Sequence, residues 1–250
     1  MKIGAQFYTV RDFCKTKEGL FESLKKVADI GYTAVQLSGV CDYDPSEMKA
    51  ELDSLGLECV LTHIEAEKIQ TKAEEIAHDH DILSCNRVGL GWFGFNADGG
   101  EALVPEFVGT YLEPARILHE NGKYFMYHNH AAEFKKLAGK TVMEMLAEQM
   151  PKELMGFTLD TYWAQVGGAD PAEWIKLLSD RVPVIHLKDC AYGQKMAVVG
   201  EGNINFDRVF SMAEAAGTEF MVVEQDDCYG EDPFECLTRS YKYLKACGFN

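Results

Sequence analysis

The chain has 250 residues, a formal net charge of −16 and 47% hydrophobic residues. Its length suits one large barrel or two small domains, and its apolar fraction is that of a globular protein with a sizeable core. An acidic surface repels phosphate backbones and anionic headgroups, so we expect neither nucleic acid nor a membrane surface as a partner.

The sequence has no apolar run near the roughly 18 residues that a transmembrane helix needs. Its first residues, MKIGAQFYTVRD, show neither the apolar core nor the small-residue cleavage site of a signal peptide. The eight cysteines are scattered, and no two of them form a C-x-x-C pair. We therefore expect reduced thiols and a cytoplasmic location.

Eight short runs rich in β-branched and aromatic residues predict strands, and an amphipathic stretch of helical length follows each one. The predicted strands are, in chain order, 2–9, 34–39, 58–63, 87–92, 124–129, 156–161, 182–187 and 219–224. The predicted helices are 19–30, 45–56, 72–84, 108–122, 140–150, 171–180, 204–217 and 233–248.

Glycines and acid–proline pairs support these boundaries, since they are typical of helix ends and helix starts. They are Gly31, Gly56, Gly122, Gly217, Asp44-Pro45, Asp170-Pro171 and Asp232-Pro233. The alternation predicts a single α/β domain over residues 1–250, a (β/α)8 TIM barrel. An open doubly wound sheet is less favoured because no G-x-G-x-x-G follows the first strand.

Polar residues gather where the predicted strands end, which is the face that carries the chemistry in such barrels. In chain order they are Gln6, Tyr8, Gln36, His63, Glu65, Trp92, His128, Asn129, His130, Glu133, Asp160, Tyr162, Trp163, His186, Lys188, Asp189, Glu224, Gln225 and Asp226. Taken singly, each could be a turn former or a hydrogen-bonded structural residue. Taken together, they indicate an active site.

Asp160, His186 and Glu224 end three successive strands, and Glu133 lies just past the strand before them. Three carboxylates and one imidazole suit one divalent ion, with Mn²⁺, Mg²⁺ or Co²⁺ favoured and Zn²⁺ possible. A bound cation would also explain how several acids share one place.

Five segments, in this order and spacing, resemble the xylose isomerase-like TIM barrel superfamily of sugar phosphate isomerases and epimerases. They are YHNHAAEF (127–134), LDTYWAQVGGADP (159–171), HLKD (186–189), VGEGNINF (199–206) and VVEQDD (222–227). The resemblance covers essentially the whole chain. It implies one divalent metal held by Glu133, Asp160, His186 and Glu224. In the epimerase members the first acid lies on the fifth strand itself, so His130 is the alternative to Glu133.

The resemblance also implies an isomerase or epimerase acting on a sugar, keto-sugar or related polyol through a metal-stabilised enediolate. The candidate catalytic residues are Glu133, Glu224, His130 and Lys188. The candidate substrate-binding residues are Gln6, Gln36, His63, Trp92, His128, Trp163 and Glu201. The alternative is a lyase or dehydratase on a keto-sugar or inosose, including 3-keto-glycoside cleavage. An abasic-site endonuclease or a non-catalytic sugar-binding barrel is less favoured.

The charge of the substrate stays open at this point. Of the six arginines only Arg11 lies near the end of a predicted strand, which favours an uncharged sugar, keto-sugar or cyclitol over a sugar phosphate. However, the two glycines around Glu201 could form a backbone nest for phosphate. Relatives are often dimers or tetramers, so a homo-oligomer is possible.

Overall fold

Eight parallel strands pair in chain order, and the eighth closes the barrel against the first. This computed structural model describes residues 1–96 and 100–249. The strands are β1 (Lys2–Gln6), β2 (Ala34–Leu37), β3 (Glu58–His63), β4 (Arg87–Leu90), β5 (Tyr124–His128), β6 (Met155–Asp160), β7 (Val184–Leu187) and β8 (Phe220–Val223). The predicted TIM barrel is confirmed.

Helices surround the barrel. Within the described residues they are α1 (Lys17–Ile30), α2 (Pro45–Leu55), α3 (Ala66–Thr71), α4 (Ala73–Ile82), α5 (Leu103–Glu120), α6 (Val142–Gln149), α7 (Thr161–Val166), α8 (Pro171–Leu177), α9 (Phe206–Ala215) and α10 (Pro233–Ala246). The eight predicted helices are present, and the short helices α3 and α7 add to them. None of the described helices is both long and apolar enough to span a bilayer.

The acid–proline pairs start three of these helices as predicted. The side chains of Asp44, Asp170 and Asp232 each accept a backbone N–H from the first turn that follows. The first strand ends at Gln6, earlier than predicted, because Phe7–Phe13 forms a 3₁₀ helix. The Gln6 side chain accepts the Tyr8 amide and so begins this turn.

The interior of the barrel is filled by a small apolar cluster. Its members come from strands on opposite sides of the barrel and can only meet inside it: Ala34, Val60, Leu61, Met126, Val184, Phe220 and Val222. A larger core lies between the strands and the helices. Because side chains alternate along a strand, a residue two positions beyond an interior one also faces the interior.

His80 on α4 is buried in the outer core. Its Nδ1 is 2.8 Å from the carbonyl oxygen of Ile76, so this nitrogen carries the proton, and its Nε2 accepts the hydroxyl of Thr62 at 2.8 Å. Burial lowers the pKa of His80 to about 4. The folded protein therefore holds this imidazole neutral at pH values where the unfolded chain protonates it.

We predict that His80 makes the fold sensitive to mild acid. Its contribution is complete above about pH 6.5 and is lost as the pH falls toward 4, by up to about 3 kcal/mol, because the unfolded state binds the extra proton. The free energy of unfolding of His80→Gln, measured with urea between pH 7.5 and 4.5, should fall less steeply than that of the wild type. His78→Gln, an exposed neighbour on α4, is the control. Parallel curves for wild type and His80→Gln would contradict the assignment.

Candidate metal and substrate site

Four side chains meet at the carboxyl ends of β5 to β8. His128 and Asp160 end their strands, His186 is the last residue but one of β7, and Glu224 directly follows β8. Each stands two residues beyond a buried residue of its own strand, which are Met126, Thr158, Val184 and Val222 in the same order. The alternation of the strands therefore carries all four side chains to the top of the barrel interior.

These four residues form the one group of His, Cys, Asp and Glu in the described chain whose ligand atoms are suitably close to hold a metal ion; the atoms lie within 4.8 Å of one another. His186 Nδ1 is 2.8 Å from Glu224 Oε2, and His128 Nε2 is 3.3 Å from Asp160 Oδ2. All four side chains are buried. Metal–ligand distances of about 2.0–2.2 Å give a shell about as wide as this group.

The orientation of the imidazoles fits a cation. His186 Nε2 lies 2.6 Å from Gln36 Oε1, an acceptor, so Nε2 carries the proton and Nδ1 presents a lone pair to the Glu224 carboxylate. His186 Nδ1 and Glu224 Oε2 make no hydrogen bond of acceptable geometry despite their short separation. Burial lowers the pKa of His186, which disfavours a proton between them. A metal ion would satisfy both atoms, and outer oxygens that orient ligating histidines are usual around metals.

His128 is held in a similar way. Its Nδ1 is 3.0 Å from the carbonyl oxygen of Gly91, so its Nε2 is the atom that faces Asp160. Burial acts to lower the pKa of His128, but the hydrogen bond and charge of Asp160 outweigh it and the pKa is raised. The second carboxylate oxygen of Asp160 accepts the Trp163 amide at 2.9 Å, which fixes this side chain at the start of α7.

The charge of the site is unbalanced without a further cation. Lys188 Nζ lies 2.7 Å from Asp226, 3.4 Å from Glu224 and 3.5 Å from Asp160. Lys188, Glu224 and Asp160 are buried, and Asp226 is half-buried. One ammonium faces three carboxylates, and a divalent ion would balance the remainder. Burial first, and then the charge of Glu224, raise the pKa of Asp226 to about 7.

Glu133 lies outside this group. It is buried on a 3₁₀ turn, Ala132–Phe134, where its carboxylate accepts the hydroxyl of Tyr127 and, at 3.0 Å, the backbone amide of His130. Burial raises the pKa of Glu133. His128, predicted as a substrate-binding residue, lies in the group that could hold a metal ion, and the contacts of Glu133 shape the turn at His130.

A cavity of about 630 Å³ opens above the cluster. Most of the predicted site residues line it: Gln6, His63, Trp92, His128, His130, Trp163, Lys188 and Glu224. Gln36 lies behind His186 and holds it from outside the cavity. Glu201 is exposed, and its carboxylate binds Arg239 at 2.9 Å. Neither Gln36 nor Glu201 is brought to the wall of the cavity.

Three buried nitrogens in this wall make no hydrogen bond within the described protein: His63 Nε2, His130 Nδ1 and Trp163 Nε1. Ser38 Oγ holds the other nitrogen of His63 at 3.1 Å. Gly91 leaves room for the His63 ring, because a Cβ there would lie 2.9 Å from its Nδ1. Burial and the nearby His128 lower the pKa of His130 to about 3. These nitrogens are uncharged groups that suit the oxygens of a bound molecule.

The fold and the site together define a TIM-barrel protein with a buried imidazole–carboxylate cluster at the carboxyl ends of its strands. The chain belongs to the xylose isomerase-like TIM barrel family, whose model matches residues 85–247. It is 23% identical over 264 residues to an inosose dehydratase of Geobacillus kaustophilus, covering 89% of this chain and 83% of that protein.

Solved structures share the fold. A sugar phosphate isomerase/epimerase from Parabacteroides distasonis superposes with a TM-score of 0.84 at 23% identity, covering 98% of this chain and 93% of that chain. The probable 3-DHS dehydratase from Bacillus anthracis superposes with a TM-score of 0.76 at 16% identity, covering 98% and 99%. The resemblance seen in the sequence is confirmed at the level of family and fold.

We predict that the cluster, and not Glu133, holds the metal. Protein incubated with Mn²⁺, Co²⁺ or Zn²⁺ and then desalted should retain about one equivalent, measured by elemental analysis. Asp160→Asn and Glu224→Gln should lose it, because each removes a carboxylate ligand, and His128→Gln should bind it at least 10-fold more weakly. Glu133→Gln, the matched control, should keep it. Loss of metal in Glu133→Gln together with full retention in His128→Gln would make Glu133 the ligand.

Proposed function

We propose that this protein is a divalent-metal-dependent isomerase or epimerase of a sugar, keto-sugar or related polyol. The observation that carries the proposal is the set His128, Asp160, His186 and Glu224, whose ligand atoms lie within 4.8 Å of one another. His128 and Glu224 also line the cavity. A divalent ion held there supplies a Lewis acid that eases removal of a proton next to a carbonyl. Family membership supports a small carbohydrate as the substrate.

The donor set refines the choice of metal. The set His128, Asp160, His186 and Glu224 would offer an ion two imidazoles and two carboxylates. The set predicted from the sequence, with Glu133 in place of His128, would offer one imidazole and three carboxylates. Imidazole nitrogen suits Zn²⁺, Co²⁺ and Mn²⁺ better than Mg²⁺, which prefers an oxygen shell. We therefore favour Mn²⁺, Co²⁺ or Zn²⁺ for this site.

Lys188 is placed to stabilise charge that develops on a substrate oxygen. Its ammonium lines the cavity, and its pKa is raised because the charges of Glu224, Asp160 and Asp226 outweigh the effect of burial. A fixed cation of this kind, already desolvated, stabilises an oxyanion far better than water does. His130 Nδ1 and the Glu224 carboxylate are the groups that we assign to proton transfer.

The walls of the cavity suit a sugar. Trp92 and Trp163 both line it, and the rings of His130 and Trp163 lie 5.2 Å apart. Flat rings bury the apolar face of a sugar, while Gln6, His63 and Trp163 offer polar atoms to its hydroxyls. Gln6 also donates to Glu224 Oε1 at 3.1 Å, so a residue that lines the cavity holds one of the possible metal ligands in position.

A dehydratase acting on a keto-sugar or inosose is the second candidate. It is favoured by the likeness to the inosose dehydratase of Geobacillus kaustophilus, which spans most of both chains. Dehydration begins with the same proton removal beside a carbonyl and differs in the next step, when a neighbouring hydroxyl leaves. The residues assigned above serve both reactions.

We predict solvent exchange at a carbon next to a carbonyl. Protein loaded with Mn²⁺ should incorporate deuterium from D₂O into at least one compound of a panel of ketoses and inositol ketones, followed by ¹H NMR. Reversible interconversion of two sugars supports the isomerase or epimerase, whereas irreversible loss of water identifies the dehydratase. Glu224→Gln should be inactive. Absence of exchange across the panel, with one metal equivalent bound, would contradict the proposed function.

We predict that Lys188→Met lowers kcat at least about 100-fold, because it removes the charge that faces the developing oxyanion. Metal content is measured in parallel, so that loss of the ion is distinguished from loss of the ammonium. Lys176→Met changes an exposed lysine on α8 and is the control. Unchanged kcat in a metal-loaded Lys188→Met would remove Lys188 from the chemistry.

A further inference from the structure

A second, smaller cavity adjoins the cavity above the cluster. Its volume is about 210 Å³, and we call it the side pocket; its walls include Trp92, Phe93, Ala131, Ala132 and Trp163. Trp92, His130 and Trp163 line both the side pocket and the larger cavity. The two cavities therefore meet at these three side chains, so a molecule bound in one can extend into the other.

The side pocket is apolar where the larger cavity is polar. Glu224 and Asp226, which line the larger cavity, each keep a buried oxygen without a hydrogen-bond partner in the described protein. The side pocket has one acid, Glu133, and its oxygens are engaged by the Tyr127 hydroxyl and the His130 amide. No other described residue that lines the side pocket is an acid, a lysine or an arginine. The polar part of a ligand thus belongs in the larger cavity and an apolar part in the side pocket.

Two unpartnered nitrogens lie where the cavities meet. Trp163 Nε1 and His130 Nδ1 are buried and make no hydrogen bond within the described protein. The indole nitrogen can only donate, so it needs an acceptor oxygen from a bound molecule. This junction suits an oxygen atom that links a polar part of a ligand to an apolar part.

The side pocket has the size of one ring, and its wall is already packed. A Cβ on Gly167 would lie 2.9 Å from the carbonyl oxygen of Ala131, so the residue after α7 packs closely against the turn that carries Ala131. An apolar cavity of about 150 Å³ is known to hold benzene, so about 210 Å³ accommodates a ring with a small substituent. Trp92 is 56% exposed, and a flat ring in the side pocket would cover part of its surface.

A third cavity also adjoins the larger one but does not suit an apolar ring. It shares Ser38 and His63 with the larger cavity, and its walls include Lys68, Glu75 and Asp79. A ring placed against these charged groups would remove water from them without replacing its hydrogen bonds. The side pocket is therefore the place for an apolar group.

We propose that the side pocket is a binding subsite for a flat apolar ring, and that the substrate is a sugar-like polyol that carries one such ring. The polyol part of this description rests on the proposed function. The ring rests on the side pocket and its junction with the larger cavity, and it makes the substrate larger than a free sugar.

Matched ligands test the subsite. Dissociation constants of the phenyl and methyl glycosides of glucose, galactose and xylose are measured on the Mn²⁺-loaded protein by isothermal titration calorimetry. For the sugar that binds most tightly, the phenyl glycoside should bind at least about 10-fold more tightly than the methyl glycoside, because its ring leaves water. Equal affinities would overturn the proposal, as would the absence of any phenyl glycoside with a dissociation constant below about 10 mM.

Filling the side pocket locates the ring. Ala131 is half-buried, and Ala131→Leu should weaken binding of the phenyl glycoside at least about 5-fold while leaving that of the methyl glycoside unchanged, because the leucine takes up room that the ring needs. Ala50→Leu, at an exposed position on α2, is the matched control and should behave as the wild type. A phenyl preference that survives in Ala131→Leu would place the ring elsewhere and overturn the proposal.

Trp92→Ala keeps the test decisive if Ala131→Leu does not fold, since Trp92 is largely exposed. It should lose the preference for the phenyl glycoside, and an unchanged preference would count against the subsite. Binding is measured without turnover, so its outcome is separate from that of the deuterium exchange. Exchange without a phenyl preference overturns the subsite alone, whereas a phenyl preference without exchange of any compound rejects the proposed function alone.

Discussion

The carboxylates of Asp160, Glu224 and the half-buried Asp226 all lie within 3.5 Å of the Lys188 ammonium at the mouth of this barrel, and the rest of the site is arranged around their charge. Buried charge is tolerated only when it is paired. Lys188 offsets one of the three, His186 turns its unprotonated Nδ1 toward Glu224, and His128 Nε2 lies against Asp160. The site therefore has a place for a divalent ion before any substrate is considered.

The architecture is well specified by the sequence. Strand-like and helical runs alternate eight times, and parallel strands joined by helices have few ways to close. Acid–proline pairs define helix starts locally, so they could be identified without tertiary information. The two short helices α3 and α7 lie in loops near the mouth, and α7 starts from the Asp160 cap. Asp160 therefore both caps α7 and belongs to the cluster of possible metal ligands.

Within the site, Asp160, His186 and Glu224 were predictable because each leaves an apolar strand in the interior register. His128 obeys the same register, two residues after Met126, and this register could have predicted it as a ligand candidate rather than as a substrate-binding residue only. Glu133 was predicted as a ligand from the family resemblance, and that assignment stays a prediction. The role of the Asp189 carboxylate could not be predicted in this way. It accepts four backbone amides, of which one belongs to its neighbour Cys190 and three belong to residues 11 to 15 positions later in the chain. Such contacts depend on the path of the loop.

The Asp189 carboxylate has a consequence for how binding energy is used. Where a ligand phosphate orders a loop, part of the affinity is consumed in ordering it, and the loop is open until the ligand arrives. Here the ordering is completed during folding by a side chain of the chain itself. The loop after β7 therefore has its final conformation before any ligand arrives, and no part of a ligand's binding energy is used to order it.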